Sequence, residues 1–273
     1  LEPPISGEYI PPLAPQGRIE GLYRMDADLL NLTDDFFVNL NLQTTLPLPR
    51  SRETVLQFYE ALQKHFPDMR SFYQREGGEY VLEGDRESGS YQWAELQAHQ
   101  LSAGYFNPPS LQDAYSLHAW LLERCVYFLG VSGLDVEAMD VMFGFNLDYC
   151  GNRDQIVAEA LLSGSPLASL VNDPTVRAVE SEPSLVVALD EQCHLQARLS
   201  LETRSSSYQV RTGQYEEEPI SIYFTIRRYP SPSEIINLPE SFARQCRACE
   251  EMATRIIVPN VIQPILAAIA SGH

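Results

Sequence analysis

Phe36-Phe37-Val38-Asn39-Leu40-Asn41-Leu42-Gln43 is the stretch from which the fold can be read. Phe36, Val38, Leu40 and Leu42 alternate with Phe37, Asn39, Asn41 and Gln43, the period of a strand with two unlike faces. After a Pro-containing loop, Ser51-Arg52-Glu53-Thr54-Val55-Leu56 reads as a helix N-cap and first turn. Val55, Tyr59, Leu62 and Phe66 continue that helix as an apolar stripe. Three or four short strands are expected next, around Arg70–Gln74, Glu79–Gly84, Ser90–Gln97 and Leu101–Phe106, with Gly77-Gly78 and Ser88-Gly89 as hairpin signals. Pro108-Pro109-Ser110 stops the last strand and starts a helix through Tyr115, Leu117, Trp120, Leu121 and Tyr127, closing at Gly130.

The same order then returns. Met139–Tyr149 alternates Met139, Val141, Phe143, Phe145 and Leu147 against Asp140, Met142, Gly144, Asn146 and Asp148. Asn152-Arg153-Asp154-Gln155-Ile156-Val157 answers the Ser51 cap. Ser205-Ser206-Ser207-Tyr208-Gln209 answers Ser88-Gly89-Ser90-Tyr91-Gln92, and Pro230-Ser231-Pro232-Ser233 answers Asn107-Pro108-Pro109-Ser110. Strands are expected at Ser184–Leu189, His194–Arg204, Tyr208–Gly213 and Ile220–Tyr229, then a helix from about Leu238 past Ile256 with a Pro-interrupted apolar tail.

The chain is therefore divided into a Pro-rich N-terminal arm (1–28), a first repeat (29–132) and a second repeat (133–273), fused into one domain. The fold class is α+β: two β-α-β(3-4)-α repeats forming one broad antiparallel sheet with helices on one face. This order resembles the TATA-box-binding-protein-like architecture over about residues 30–270, in topology and without a family motif. The resemblance implies a curved sheet. It does not bring DNA with it, because the charge is wrong and no lysine-rich face with intercalating Phe pairs is present.

Composition narrows the function classes. Nineteen basic against 37 acidic residues give a net charge of −18, so no nucleic-acid partner is expected. Lys64 is the only lysine, which leaves nearly all positive charge on arginine, a side chain suited to carboxylates, phosphates and aromatic faces. No apolar run approaches the ~20 residues of a membrane helix, since Pro259 and Pro264 break Ile256–Ala270, and no membrane partner is expected. Five cysteines, an odd number at low density, suit a reducing cytoplasm. The chain begins at Leu1 rather than methionine, which points to trimming.

If helices cover one face, alternation sends Asn39, Asn41, Asn146, Asp148, Arg198, Tyr223 and Arg227 to the other, along with His194, Gln196, Ser200 and Thr225. Such a face can hold a small anion or a peptide through directed hydrogen bonds. The same residues also suit the plain solvated side of an antiparallel sheet. Cys150 stands just before the Asn152 cap, where helix N–H groups favour a thiolate, with His194 and Asp148 as conceivable partners; it reads equally as a small hydrophobe. Cys246 and Cys249 have zinc-like spacing but fall within a helix, where packing explains them better. Glu216-Glu217-Glu218 suits a solvated turn, and His118 a packing role.

No Walker loop, GxGxxG, GxSxG or HExxH occurs, and no cofactor is expected. The function expected is thus a non-catalytic cytoplasmic binding or assembly protein that offers its open sheet face to a protein or small-molecule ligand and self-associates through the C-terminal helix. The alternative is an enzyme using Cys150, or an Asn146/Asp148 cluster, at a pocket between the repeats.

Overall fold

The computed structural model describes residues 29–173, 175–231 and 236–271; the arm expected at 1–28, and Pro232 and Ser233 of the second Pro-Ser match, lie outside them. Among the described residues nine strands form: β1 (Asp35–Thr44), β2 (Ser71–Gln74), β3 (Tyr80–Glu83), β4 (Tyr91–Leu96), β5 (Gln100–Phe106), β6 (Val136–Tyr149), β7 (Ser184–Ala188), β8 (Leu195–Glu202) and β9 (Glu218–Arg228). They make one sheet in the order β2-β3-β4-β5-β1-β6-β9-β8-β7. Every neighbouring pair is antiparallel. Outward from the central β1–β6 pair the order is β5, β4, β3, β2 on one side and β9, β8, β7 on the other.

The α+β class holds, and its cause is the alternation in the central strands. Phe36, Val38, Leu40 and Leu42 of β1 are all buried, as are Val141, Phe143, Phe145 and Leu147 of β6 and Ile220, Ile222, Phe224 and Ile226 of β9. The register sets Phe36 opposite Phe145 and Val38 opposite Phe143. The Phe36 ring meets those of Phe143 and Phe145 at 5.4 and 5.2 Å. Burial of each such side chain is worth about 1.5–3 kcal/mol, so this central block anchors the sheet.

Helices cover that face. α1 (Arg52–His65) is capped by Ser51, whose side chain accepts from the Thr54 N–H, and α2 (Leu111–Phe128) by Ser110, which accepts from Asp113. α3 (Arg153–Leu162) is capped by Asn152 through the Gln155 N–H. A short α4 (Ala168–Val171) follows. α6 (Leu238–Met252) lays Phe242, Cys246 and Cys249 against β6 and β9.

Two expectations are corrected. Tyr208–Gly213 is not a strand but the helix α5 (Ser207–Thr212). Ser206 and Gln209 satisfy each other's backbone N–H in a capping box, and Gly213 closes the turn at φ 70°. The Ser-Tyr-Gln match between the halves therefore has different structures, for Tyr91 and Gln92 begin β4. Nor do the prolines interrupt the tail. From α6 the chain continues through a π-helical stretch (Ala253–Ile262) that contains Pro259, and into α7 (Gln263–Ser271). The wider π turn lets the helix pass a residue that has no N–H to give, and the Gln263 N–H reaches back to the Val258 carbonyl. The resulting rod, Leu238–Ser271, is by length and composition long and apolar enough to cross a membrane. Its first part rests on the sheet and its last on α3, with Ile257, Ile262 and Ile265 buried.

Candidate functional site

The face turned away from the helices is a lattice of cross-strand rows. One row is aromatic: Tyr91, Phe106, Phe37, Gly144 and Tyr223 lie opposite one another on β4, β5, β1, β6 and β9. Phe37 stacks on Phe106 at 5.9 Å, Phe106 on Tyr91 at 5.4 Å, and Phe37 meets the edge of Tyr223 at 6.2 Å. That last contact crosses β6 only because position 144 is glycine: a Cβ there would sit 2.1 Å from the Phe37 ring.

A polar chain runs beside it. Asn107 donates to Asp35 at 2.8 Å and Asn146 to Asp35 at 3.4 Å; Ser221 donates to Asn146 at 2.7 Å and Arg204 to Ser221 at 2.8 Å. Tyr223 then joins Arg204 and Glu202, donating its hydroxyl proton to Glu202 at 2.8 Å. Burial, and then that hydrogen bond to Glu202, push the Tyr223 hydroxyl pKa upward. Asn146 and Tyr223 are thereby committed to holding strands together.

On the other side of the aromatic row, each buried carboxylate is held by an arginine. Glu83 pairs with Arg86 at 2.6 Å, Glu95 with Arg75 at 2.7 Å and Asp140 with Arg227 at 2.6 Å. The hydrogen bonds to Asp140 push the Arg227 guanidinium pKa upward. Arg198 differs: it is exposed, and among the described residues no side chain or carbonyl bonds to its guanidinium.

Arg198 lies in a depression of about 460 Å³ over β6, β9 and β8. Gln196, Ser200, Thr225 and Asn41 line it with Arg227 and Tyr223. Met142, Val186 and Tyr229 supply apolar surface, a mixture and size that suit a small ligand. A hollow of about 470 Å³ elsewhere, bounded by Asp68, Asp85, Ser90 and Tyr105, has Arg70 as its basic lining residue. Arg70 is 79% exposed, and Asp68 and Asp85 outnumber it in that lining, so the hollow offers no net positive charge.

Of the residues singled out from sequence, Asn41, Arg198, Tyr223 and Arg227 come together at the depression. Asn39 lies one row away, its Oδ1 over Gly104 beside the Trp93 indole nitrogen and without a hydrogen bond among the described residues. Asp148 stands at the far end of β6, where burial and the charges of Asp34, Asp35 and Glu217 raise its pKa. Asp140 and Met142 share the parity of Asn146 and were legible from it. Val186 was not, because its strand shows no alternation.

The register separates Cys150 from His194. Tyr149 pairs with Glu218 at one end of β9, and Leu195 pairs with Arg228 at the other, ten residues and roughly 30 Å away. The exposed Cys150 thiol faces the Tyr215 carbonyl at 3.5 Å. Cys246 and Cys249 are buried under the sheet, and burial pushes both thiols upward. Among the described residues no group of three or more metal-binding side chains includes them. Compared with protein-family models and with curated proteins, the chain matches none.

Proposed function

We propose that this is a non-catalytic binding protein whose open sheet face takes up a small ligand bearing a carboxylate or phosphate, with Arg198 as the charge anchor. The observation that carries the reading is that Arg198 is unpaired within the depression while its neighbour Arg227 is neutralised by Asp140. An unneutralised guanidinium flanked by Gln196, Ser200 and Thr225 offers a fork of donors to an anionic head. Met142, Val186 and Tyr229 would hold an apolar body. In a chain of net charge −18, local positive charge at this point favours a ligand small enough to feel Arg198 more than the surrounding acids.

The strand order on either side of β1 and β6 supports an origin by fusion of two units, as the likeness to TATA-box-binding-protein topology suggested. Free thiols at all five cysteines suit a reducing compartment, and we place the protein in the cytoplasm.

Thermal-shift screening with aromatic carboxylates, dicarboxylates and phosphomonoesters, followed by calorimetric titration, tests the reading. At least one of these classes should bind, and Arg198→Ala should weaken it by about tenfold or more. Binding that survives Arg198→Ala unchanged, or no binding by any class, removes the proposal.

A further inference from the structure

The strand at the outer margin of the second half carries an inference of its own. β7 reads Ser184-Leu185-Val186-Val187-Ala188 and has every residue exposed, with Leu185 61%, Val186 52% and Val187 40% accessible. Its backbone is half bonded. The Leu189 N–H donates to the Leu195 carbonyl at 2.8 Å and the Leu201 N–H to the Pro183 carbonyl at 3.2 Å. In an antiparallel ladder this parity turns the odd-numbered residues toward β8 and leaves the N–H and C=O of Ser184, Val186 and Ala188 pointing outward. Among the described residues no strand takes them up. The opposite margin is built differently: β2 has four residues and lies between Arg70 and Arg75, a short and charged edge of the protected kind.

Charge decides what fits on β7. Glu180 and Glu182 precede it, and Asp190 and Glu191 follow it. Two copies paired antiparallel about Val186 would set Glu182 of each against Asp190 of the other, with Glu180 and Glu191 close by, which is repulsive at both ends. A strand with the opposite flanks meets no such penalty. We infer that β7 is a docking edge for an extended segment of a partner protein, apolar and β-branched over its centre with Lys or Arg beyond each end. That segment would add a tenth strand, bond to the outward groups of Ser184, Val186 and Ala188, and cover Leu185 and Val187 with alternate side chains.

Selection of a random peptide library on the whole chain tests this. Enriched peptides should combine a β-branched apolar centre with basic flanks. Val186→Pro removes one outward N–H without touching the β8 ladder, and should weaken them by about tenfold or more. Glu180→Lys combined with Glu191→Lys should weaken them similarly while leaving the edge backbone intact, so the test stands even where the proline variant folds poorly by circular dichroism. The inference is overturned by a selection that enriches nothing, by enriched peptides without basic flanks, or by undiminished binding to both edge variants. A wild-type dimer in light scattering that Val186→Pro dissociates would give the edge to a second copy instead, and overturn it too.

Discussion

Arg227 and Asp140 meet through two parallel hydrogen bonds, Nε to Oδ1 at 2.7 Å and Nη2 to Oδ2 at 2.6 Å, directly across the β6–β9 pair. The two partners are unequally buried, for the Asp140 side chain is 6% exposed and that of Arg227 32%. Breaking such a pair strands whichever charge remains, and the cost grows with its burial. Arg227→Met should therefore destabilise the protein more than Asp140→Asn, by about 3 kcal/mol against about 1–2. Urea denaturation of the two variants, and of the double variant, checks this. A double variant less stable than Arg227→Met alone would show that the stranded carboxylate is not the source of the loss.

Gly144 and Phe37 form the second test. A methyl group at position 144 would overlap the Phe37 ring, which must then swing away from Tyr223. Gly144→Ala should cost about 1–2 kcal/mol, in the range of an overpacked site. In a Phe37→Ala background the obstruction is gone, and the same change should become neutral or slightly stabilising, since alanine is stiffer than glycine in the unfolded chain. A double-mutant cycle measures the coupling. Equal costs in both backgrounds would mean that the ring does not need the glycine.

These two pairs also show what the sequence could and could not disclose. Alternation from Phe36 to Gln43 and from Met139 to Tyr149 placed the central strands and their faces, because burial of one side is a local, period-two signal. The faces of Asn41, Arg198, Tyr223 and Arg227 followed from it. What alternation cannot supply is pairing: nothing in the spacing says that Arg227 meets Asp140, or that Arg198 meets no one. Arg153 makes the point most strongly. Read from sequence, it is the first residue of a helix; in the structure it is fully buried, donating to the Thr203 carbonyl at 2.6 Å, the Glu216 carbonyl at 3.0 Å and Glu218 at 2.9 Å. Those partners lie 50 or more residues away. At Tyr208–Gly213 the sequence does carry the local signal, since Ser206 and Gln209 in a capping box and Gly213 at the end spell a helix.

His118 gives the last prediction, a pH dependence. It lies on α2 and is fully buried against the edge of Phe242 at 5.8 Å. Burial disfavours the imidazolium and lowers the pKa to about 3. An unfolded-chain histidine titrates near 6.5, so between those values the unfolded state binds a proton that the folded state refuses. The contribution of His118 is thus intact above about pH 6.5, declines as pH falls, and levels off below about 3. At pH 5 the loss should be about 2 kcal/mol, from roughly 1.5 pH units at 1.36 kcal/mol each. His118→Leu retains the packing against Phe242 without the proton, and should flatten this part of the profile. Urea denaturation at pH 7.5 and pH 5 compares the two proteins. Parallel losses in wild type and variant would place the acid sensitivity elsewhere.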